Sequence, residues 1–99
     1  MNKTDLIDMV AEETGQTKKA TENVVNTTID TIMEYLGEEA QKKEQNRDNV
    51  QLIGFGTFET KDRASRKGRN PQTGEEITIP ERTAPVFRAG KTFKDKVDK

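Results

Sequence analysis

Residues 57–80 constrain this chain more than any other stretch. They have the pattern of a β-hairpin, yet hold few apolar side chains with which to bury it. Residues 57–69, TFETKDRASRKGR, suit a strand and are strongly polar. Asn70-Pro71-Gln72-Thr73-Gly74 then supplies a turn, with proline and glycine where turns favour them. Residues 75–80 alternate, with Ile77 and Ile79 on one face. An isolated two-stranded ribbon is marginal in water. Such a hairpin is expected to project from a body folded elsewhere, and to move until something orders it.

The body has little material for a core. Leu, Ile, Val and Phe number 3, 6, 6 and 4, which is 19 of 99 residues. That borders on the composition of disordered chains, but disorder also calls for a large net charge, and here it is −1. The chain can therefore fold. A domain this small hides a modest share of its surface when alone, so an oligomer is expected.

The elements follow from spacing. Residues 3–14 form a helix that Asn2 can cap, with Asp5 three positions later. Leu6, Ile7 and Val10 make its apolar face, Met9 and Ala11 flank it, and Gly15 stops it. Thr17 caps a second helix in which Ala20, Val24, Val25, Ile29, Ile32, Met33 and Leu36 recur at helical spacing. Gly37 should end or weaken it. Residues 37–49, GEEAQKKEQNRDN, read as a helix extension with a turn or, the favoured choice, as a solvated linker. Val50, Leu52, Phe55 and Phe58 surround Gly54-Phe55-Gly56, which implies two strands or one sharply bent strand. Val86 and Phe87 return the chain to the core. Gly90 opens a last helix with Phe93 and Val97 at i and i+4, and Lys91 and Lys94 beside them.

Several chemistries are excluded. The chain has no Cys and no His, which removes disulfides, thiolate metal sites and every His-based catalytic arrangement. The only Ser, Ser65, sits among Arg and Lys. The carboxylates are scattered along helix surfaces, so an enzyme is the least supported reading, and no cofactor, metal or small-molecule substrate is expected. No apolar run approaches membrane-spanning length and the opening residues lack a signal-peptide layout, so a cytoplasmic protein without a membrane partner is expected.

Charge is shared unevenly. Residues 1–60 carry 6 basic and 12 acidic side chains, net −6, and residues 61–99 carry 11 and 6, net +5. Screening acts over ~8 Å at physiological salt, so a polyanion responds to the local field and not to the average. The densest positive feature is KDRASRKGR, where Lys61, Arg63, Arg66, Lys67 and Arg69 stand against the single acid Asp62. A charged edge also resists aggregation. A run this dense, on a hairpin that cannot bury itself, favours nucleic acid. Pro71 at the tip suits first an ordinary turn, and as the alternative an apolar wedge that enters between base steps.

The segment GFGTFETKDRASRKGRNPQTGEEI, residues 54–77, resembles the arm signature of the bacterial HU/IHF family of histone-like DNA-bending proteins. The opening MNKTDLIDMVAEETG and the ending VFRAGKTFKDKV are similar to that family as well. The resemblance implies an α+β fold built as an intertwined dimer, homo- or heteromeric: a helical base, a three-stranded antiparallel sheet and two β-arms that enter the minor groove of double-stranded DNA. It implies one domain over 1–99, with a helical dimerisation half over 1–49 and the sheet, arm and last helix over 50–99. Pro71 matches the intercalating tip. Lys61, Arg63, Arg66, Lys67, Arg69, Asn70 and Gln72 match arm positions that line the groove. Arg88, Lys91 and Lys94 match the basic flank of the body, and Lys3 and Lys18 weaker flank positions. Phe55, Phe58 and Phe87 match the aromatic cluster of the dimer core. The partner implied is DNA, bent, nicked or flexible by preference, and the implied location is the nucleoid.

Two departures from the family stand out. This chain is slightly acidic where HU-type members are usually basic, and residues 37–49 are extra. Two rival functions remain at this point: a site-specific bender of the IHF type, and a protein-interaction module working through the acidic helical half. Ile53-Gly54 ahead of Phe55 sits closer to the HU pattern.

Overall fold

The structure, a computed structural model, describes all 99 residues. The chain forms two compact units, Met1–Tyr35 and Leu36–Lys99.

The first unit holds helix α1 (Lys3–Thr14) and most of helix α2 (Lys18–Glu39). A reciprocal capping box starts α1: Asn2 Oδ1 accepts from the Asp5 amide at 2.9 Å, and Asp5 Oδ2 accepts from the Asn2 amide at 3.1 Å. Gly15 ends the helix at φ 71°, a left-handed conformation that costs glycine no steric penalty. Thr17 Oγ1 accepts from the Ala20 amide at 3.1 Å and so caps α2 as expected. Ile7, Ala11 and Thr21 are buried, while Met9, Val24 and Met33 stay more than half exposed.

The second helix runs two residues past Gly37, to Glu39. It ends by tightening: the Ala40 amide bonds Leu36 O, and the Gln41 and Lys42 amides then bond Glu38 O and Glu39 O, each three residues back. A single helical turn, Glu44–Asn46, follows.

In the second unit, strands β1 (Val50–Leu52), β2 (Gly56–Arg63) and β5 (Arg82–Ala89) form an antiparallel sheet in the order β1-β2-β5. Strands β3 (Arg66–Arg69) and β4 (Glu76–Ile79) form a separate two-stranded ribbon between β2 and β5 in sequence. Helix α3 (Lys91–Val97) closes the chain. Phe58 pairs with Phe87 and with Val50, which places these three on one face of the sheet. The Phe58 and Phe87 rings lie 4.8 Å apart, and Phe55 lies 5.3 Å from Phe87. Phe93 of α3 completes the cluster, stacked on Phe55 at 5.4 Å. Helical spacing alone puts Phe93 on a helix face without naming its partners. What docks α3 is backbone: Gly54 O accepts from the Phe93 amide at 3.1 Å, and Phe55 O accepts from the Gly90 amide at 2.8 Å. Gly90 offers no side-chain cap, so these carbonyls of the β1–β2 turn satisfy the helix start. The cluster stays half open, with Phe55 47% and Phe87 38% exposed.

Two glycines here behave in opposite ways. A Cβ at Gly56 would run into the Phe87 ring and the Arg88 carbonyl, while at Gly37 nothing lies within 4 Å. Gly56→Ala should therefore destabilise the fold by ~1–3 kcal/mol through overpacking. Gly37→Ala should stabilise it by up to ~1 kcal/mol through helix propensity. Thermal or urea melts of the two variants check the pair, and a destabilising Gly37→Ala would contradict the helical geometry.

Candidate nucleic-acid interface

The β2–β5 ladder carries the sheet outward into the arm. Its eight pairs run from Gly56↔Ala89 to Arg63↔Arg82. Side chains alternate across a strand, so Lys61 and Arg63 share a face with Arg82 and Arg88 of β5, and with Glu59. Four cations and one carboxylate thus occupy one side of the ladder. Arg82 is a residue that sequence reasoning missed. It lies outside the KDRASRKGR run and follows Glu81, yet the register sets it directly opposite Arg63. Counting back in twos from Arg88 would have found it. Like charges facing each other across a ladder destabilise it, and a bound anion relieves that repulsion. Arg63, Arg66 and Arg82 line one cleft of about 450 Å³, together with Asp62, Ile79 and Pro80.

The arm is not one continuous hairpin, as the sequence suggested. Pairing stops at Arg63↔Arg82 and resumes at Arg66↔Ile79. Ala64 and Ser65 interrupt one strand, and Pro80 and Glu81 the other. Pro80 lacks an amide to donate, which suits a break in a ladder. Beyond it, the tip is internally bonded. The Gly74 amide donates to Asn70 O at 2.7 Å, the Asn70 amide to Glu75 O at 2.8 Å, and the Gln72 amide to Asn70 Oδ1 at 2.9 Å. Arg69 Nη1 donates to Gly74 O at 3.0 Å, and Gly74 sits at φ 74°. Pro71 and Gln72 are exposed on this tip. The turn is thus a shaped object that presents a proline.

The other expected residues are more scattered. Lys67 is exposed and 3.4 Å from Glu76, an ion pair worth little in water. Lys61 lies 4.0 Å from Glu44, and Arg88 lies 3.3 Å from Glu59. Glu59 is buried, so part of the Arg88 charge is already engaged. Lys91 and Lys94 are exposed on α3. In the first unit, Lys3 is exposed in the opening turn of α1, and Lys18 lies 3.5 Å from Asp8.

The expected linker is an ordered connection. Glu39 is buried, and its carboxylate accepts from the Asp48 amide and from Lys42 Nζ, each at 2.7 Å. Those two bonds, Lys42 first, hold its carboxyl below the usual carboxylate range. Asp62, the single acid of the basic run, is held low first by the Thr83 hydroxyl at 2.9 Å and then by Arg47 of the connection. No run of apolar residues announced this order. It comes from polar bonds between segments that composition alone marks as solvated.

A small antiparallel sheet whose strands run out into a cationic ribbon tipped by an ordered proline defines an α+β class of β-arm proteins. The family model described as bacterial DNA-binding protein matches residues 1–98. The chain is 55% identical to DNA-binding protein HU-1 of Halalkalibacterium halodurans over 97 residues, 98% of this chain and 99% of that one. It is 52% identical to DNA-binding protein HU of Clostridium pasteurianum over the full length of both. Among solved structures it is similar to an Anabaena HU–DNA cocrystal, with a TM-score of 0.86 and 42% identity over 98% of this chain and 97% of that one. It is similar also to HU from Thermotoga maritima, at 0.64 and 31% over 99% and 100%. The chain belongs to the HU family of bacterial DNA-binding proteins.

Folding holds both carboxyls, Glu39 and Asp62, below their unfolded values. Their stabilisation is therefore complete above the ordinary carboxylate range and is lost as pH falls through the depressed folded values. Glu39→Gln should lower the melting temperature most near neutral pH, and the gap to the parent should close on acidification. A gap independent of pH would show that the charge at position 39 does not contribute.

Proposed function

We propose that this chain is a histone-like architectural protein that binds and bends double-stranded DNA, largely without regard to sequence. The observation that carries this reading is the arm: a ribbon with cations along its root and strands, too polar to bury itself, ending in an internally bonded turn that exposes Pro71. Membership of the HU family, and likeness to an HU solved with DNA, support it. An HU-like assignment is favoured over a site-specific one, because the curated relatives are HU proteins. Association with the nucleoid follows from that partner. No helix of the chain is long and apolar enough to cross a membrane. The role is architectural, not catalytic.

The working unit is a homodimer. A half-open phenylalanine cluster and the exposed Ile53 (97%) and Val24 (63%) leave apolar surface that a second copy would cover. Phe55, Phe58 and Phe87 then belong to the shared core. Two arms, one from each copy, enter the minor groove. Lys61, Arg63, Arg66, Lys67, Arg69, Asn70 and Gln72 line it, and Arg82 joins them at the root. Pro71 carries no amide proton and opposes no ladder partner, so it is free to enter a base step. Unstacking costs a few kcal/mol per step, and the wrapped surface offsets it. Arg88, Lys91 and Lys94 receive the flanking phosphates, with Lys3 and Lys18 as weaker partners. DNA that is already flexible or nicked needs less deformation work and binds better.

Pro71→Ala should keep most of the affinity but reduce bending, read as end-to-end distance by FRET on a doubly labelled duplex. An unchanged bend would remove the wedge from the mechanism. Arg66→Ala with Arg69→Ala should weaken binding to unrelated sequences alike. It should also flatten the log–log salt dependence by ~0.9 for each phosphate that the arm no longer neutralises. Weakening confined to one sequence would point to site-specific recognition.

A further inference from the structure

The most heavily committed cation of the second unit lies in the connection that precedes β1. The Arg47 side chain is only 6% exposed. Its Nε and Nη2 each donate at 3.0 Å, to the carbonyls of Lys42 and Ala40. Its Nη1 lies 2.9 Å from Asp62 Oδ1 as an ion pair. One guanidinium therefore ties the run-off of α2 to strand β2. The planar fork of arginine suits this three-way task, and a lysine ammonium could not span it in the same way.

Both ends of the tie are fixed. On one side, Glu39 holds the Asp48 amide and Lys42, so the turn that carries Arg47 is itself pinned. On the other, Asp62 also accepts from Thr83 Oγ1, its register partner on β5. The tie thus engages both strands of the arm. It lands on Asp62↔Thr83, one pair before the ladder stops at Arg63↔Arg82. Asp62 alternates with Arg63 and Arg82 across the ladder, and at the arm root Arg47 and Asp62 share a cleft with those two arginines.

We propose that Arg47 is a positioning residue for DNA bending: acting through Asp62, it holds the arm root so that the arm flexes at the break above it, around residues 64–65 and 80–81, and not at the sheet. This rests on the DNA-bending reading of the arm. A root ordered before DNA arrives loses less freedom on binding. It also passes the pull of the tip to the body instead of yielding beneath it.

The test uses the full chain with Arg47→Met, Arg47→Lys, Asp62→Asn and the Arg47→Met/Asp62→Asn double variant. Amide exchange without DNA reports on the root, at residues 60–63 and 82–85. FRET with intact and nicked duplexes reports bend and affinity. Each of Arg47→Met and Asp62→Asn should speed root exchange about three-fold or more, as expected for local opening, while β3–β4 and the first unit stay unchanged. Each should reduce the bend of intact duplex and weaken its binding more than that of nicked duplex. The double variant should be no worse than Arg47→Met alone, and Arg47→Lys should recover part of the effect. Asp62→Asn leaves both carbonyl bonds of the guanidinium in place, so it remains decisive if Arg47→Met fails to fold. Root exchange and bend at parental values in Asp62→Asn would overturn the proposal, as would fully additive effects in the double variant. A parent protein that bends no duplex would overturn the bending role and the functional reading together, while root exchange would still show whether the tie holds the arm.

Discussion

The eight-pair ladder between β2 and β5 is the element on which the rest depends. At one end it carries Phe58 and Phe87 into the aromatic cluster, and at the other it carries Arg63 and Arg82 to the root of the arm. A ribbon of this polarity has no hydrophobic reason to exist in water by itself. It exists because its inner end is part of a sheet with something to bury. The hydrophobic effect at one end of the ladder thus sets the position of charge at the other.

The ladder also sorts the charge. A one-residue slip of β5 against β2 would send Arg82 and Arg88 to the face that now carries Phe58 and Asp62. The phenylalanine pair forbids that slip, since it would expose Phe87 on the cationic side. The arrangement of cations is therefore a by-product of core packing, and changes in the aromatic cluster should be felt at the arm through the strands they share.

Order above the break is of a different kind. The tip depends on hydrogen bonds among Asn70, Gly74, Glu75 and Arg69, and the connection before β1 depends on Glu39 and Arg47. Neither has an apolar core. Both hold their shape through bonds to backbone groups, which suits surfaces that must stay wet and charged. The acidic bias of the helical half is consistent with this division. Its carboxylates at Glu12, Glu13, Glu22, Asp30, Glu34 and Glu38 occupy exposed helix positions.

Much was legible from the sequence because it is local. Asn2 with Asp5, Gly15, Thr17 and the turn at 70–74 each act within a few residues, so spacing and residue type were enough to place them. The polarity of the arm was legible for the same reason, as was the family to which its motif belongs. What only the tertiary structure decided involves partners far apart in the chain. Gly37 did not end α2, because the bonds that tighten its last turn tolerate one poor helix former. Phe93 joined the cluster because Gly54 and Phe55 offered carbonyls to α3. Arg82 came opposite Arg63 through a register that no local pattern states, and Arg47 left its solvated segment because Asp62, fifteen positions on, was held where it could be reached. Local sequence sets what each segment can become, but a pairing between distant segments is chosen by the packing of the whole.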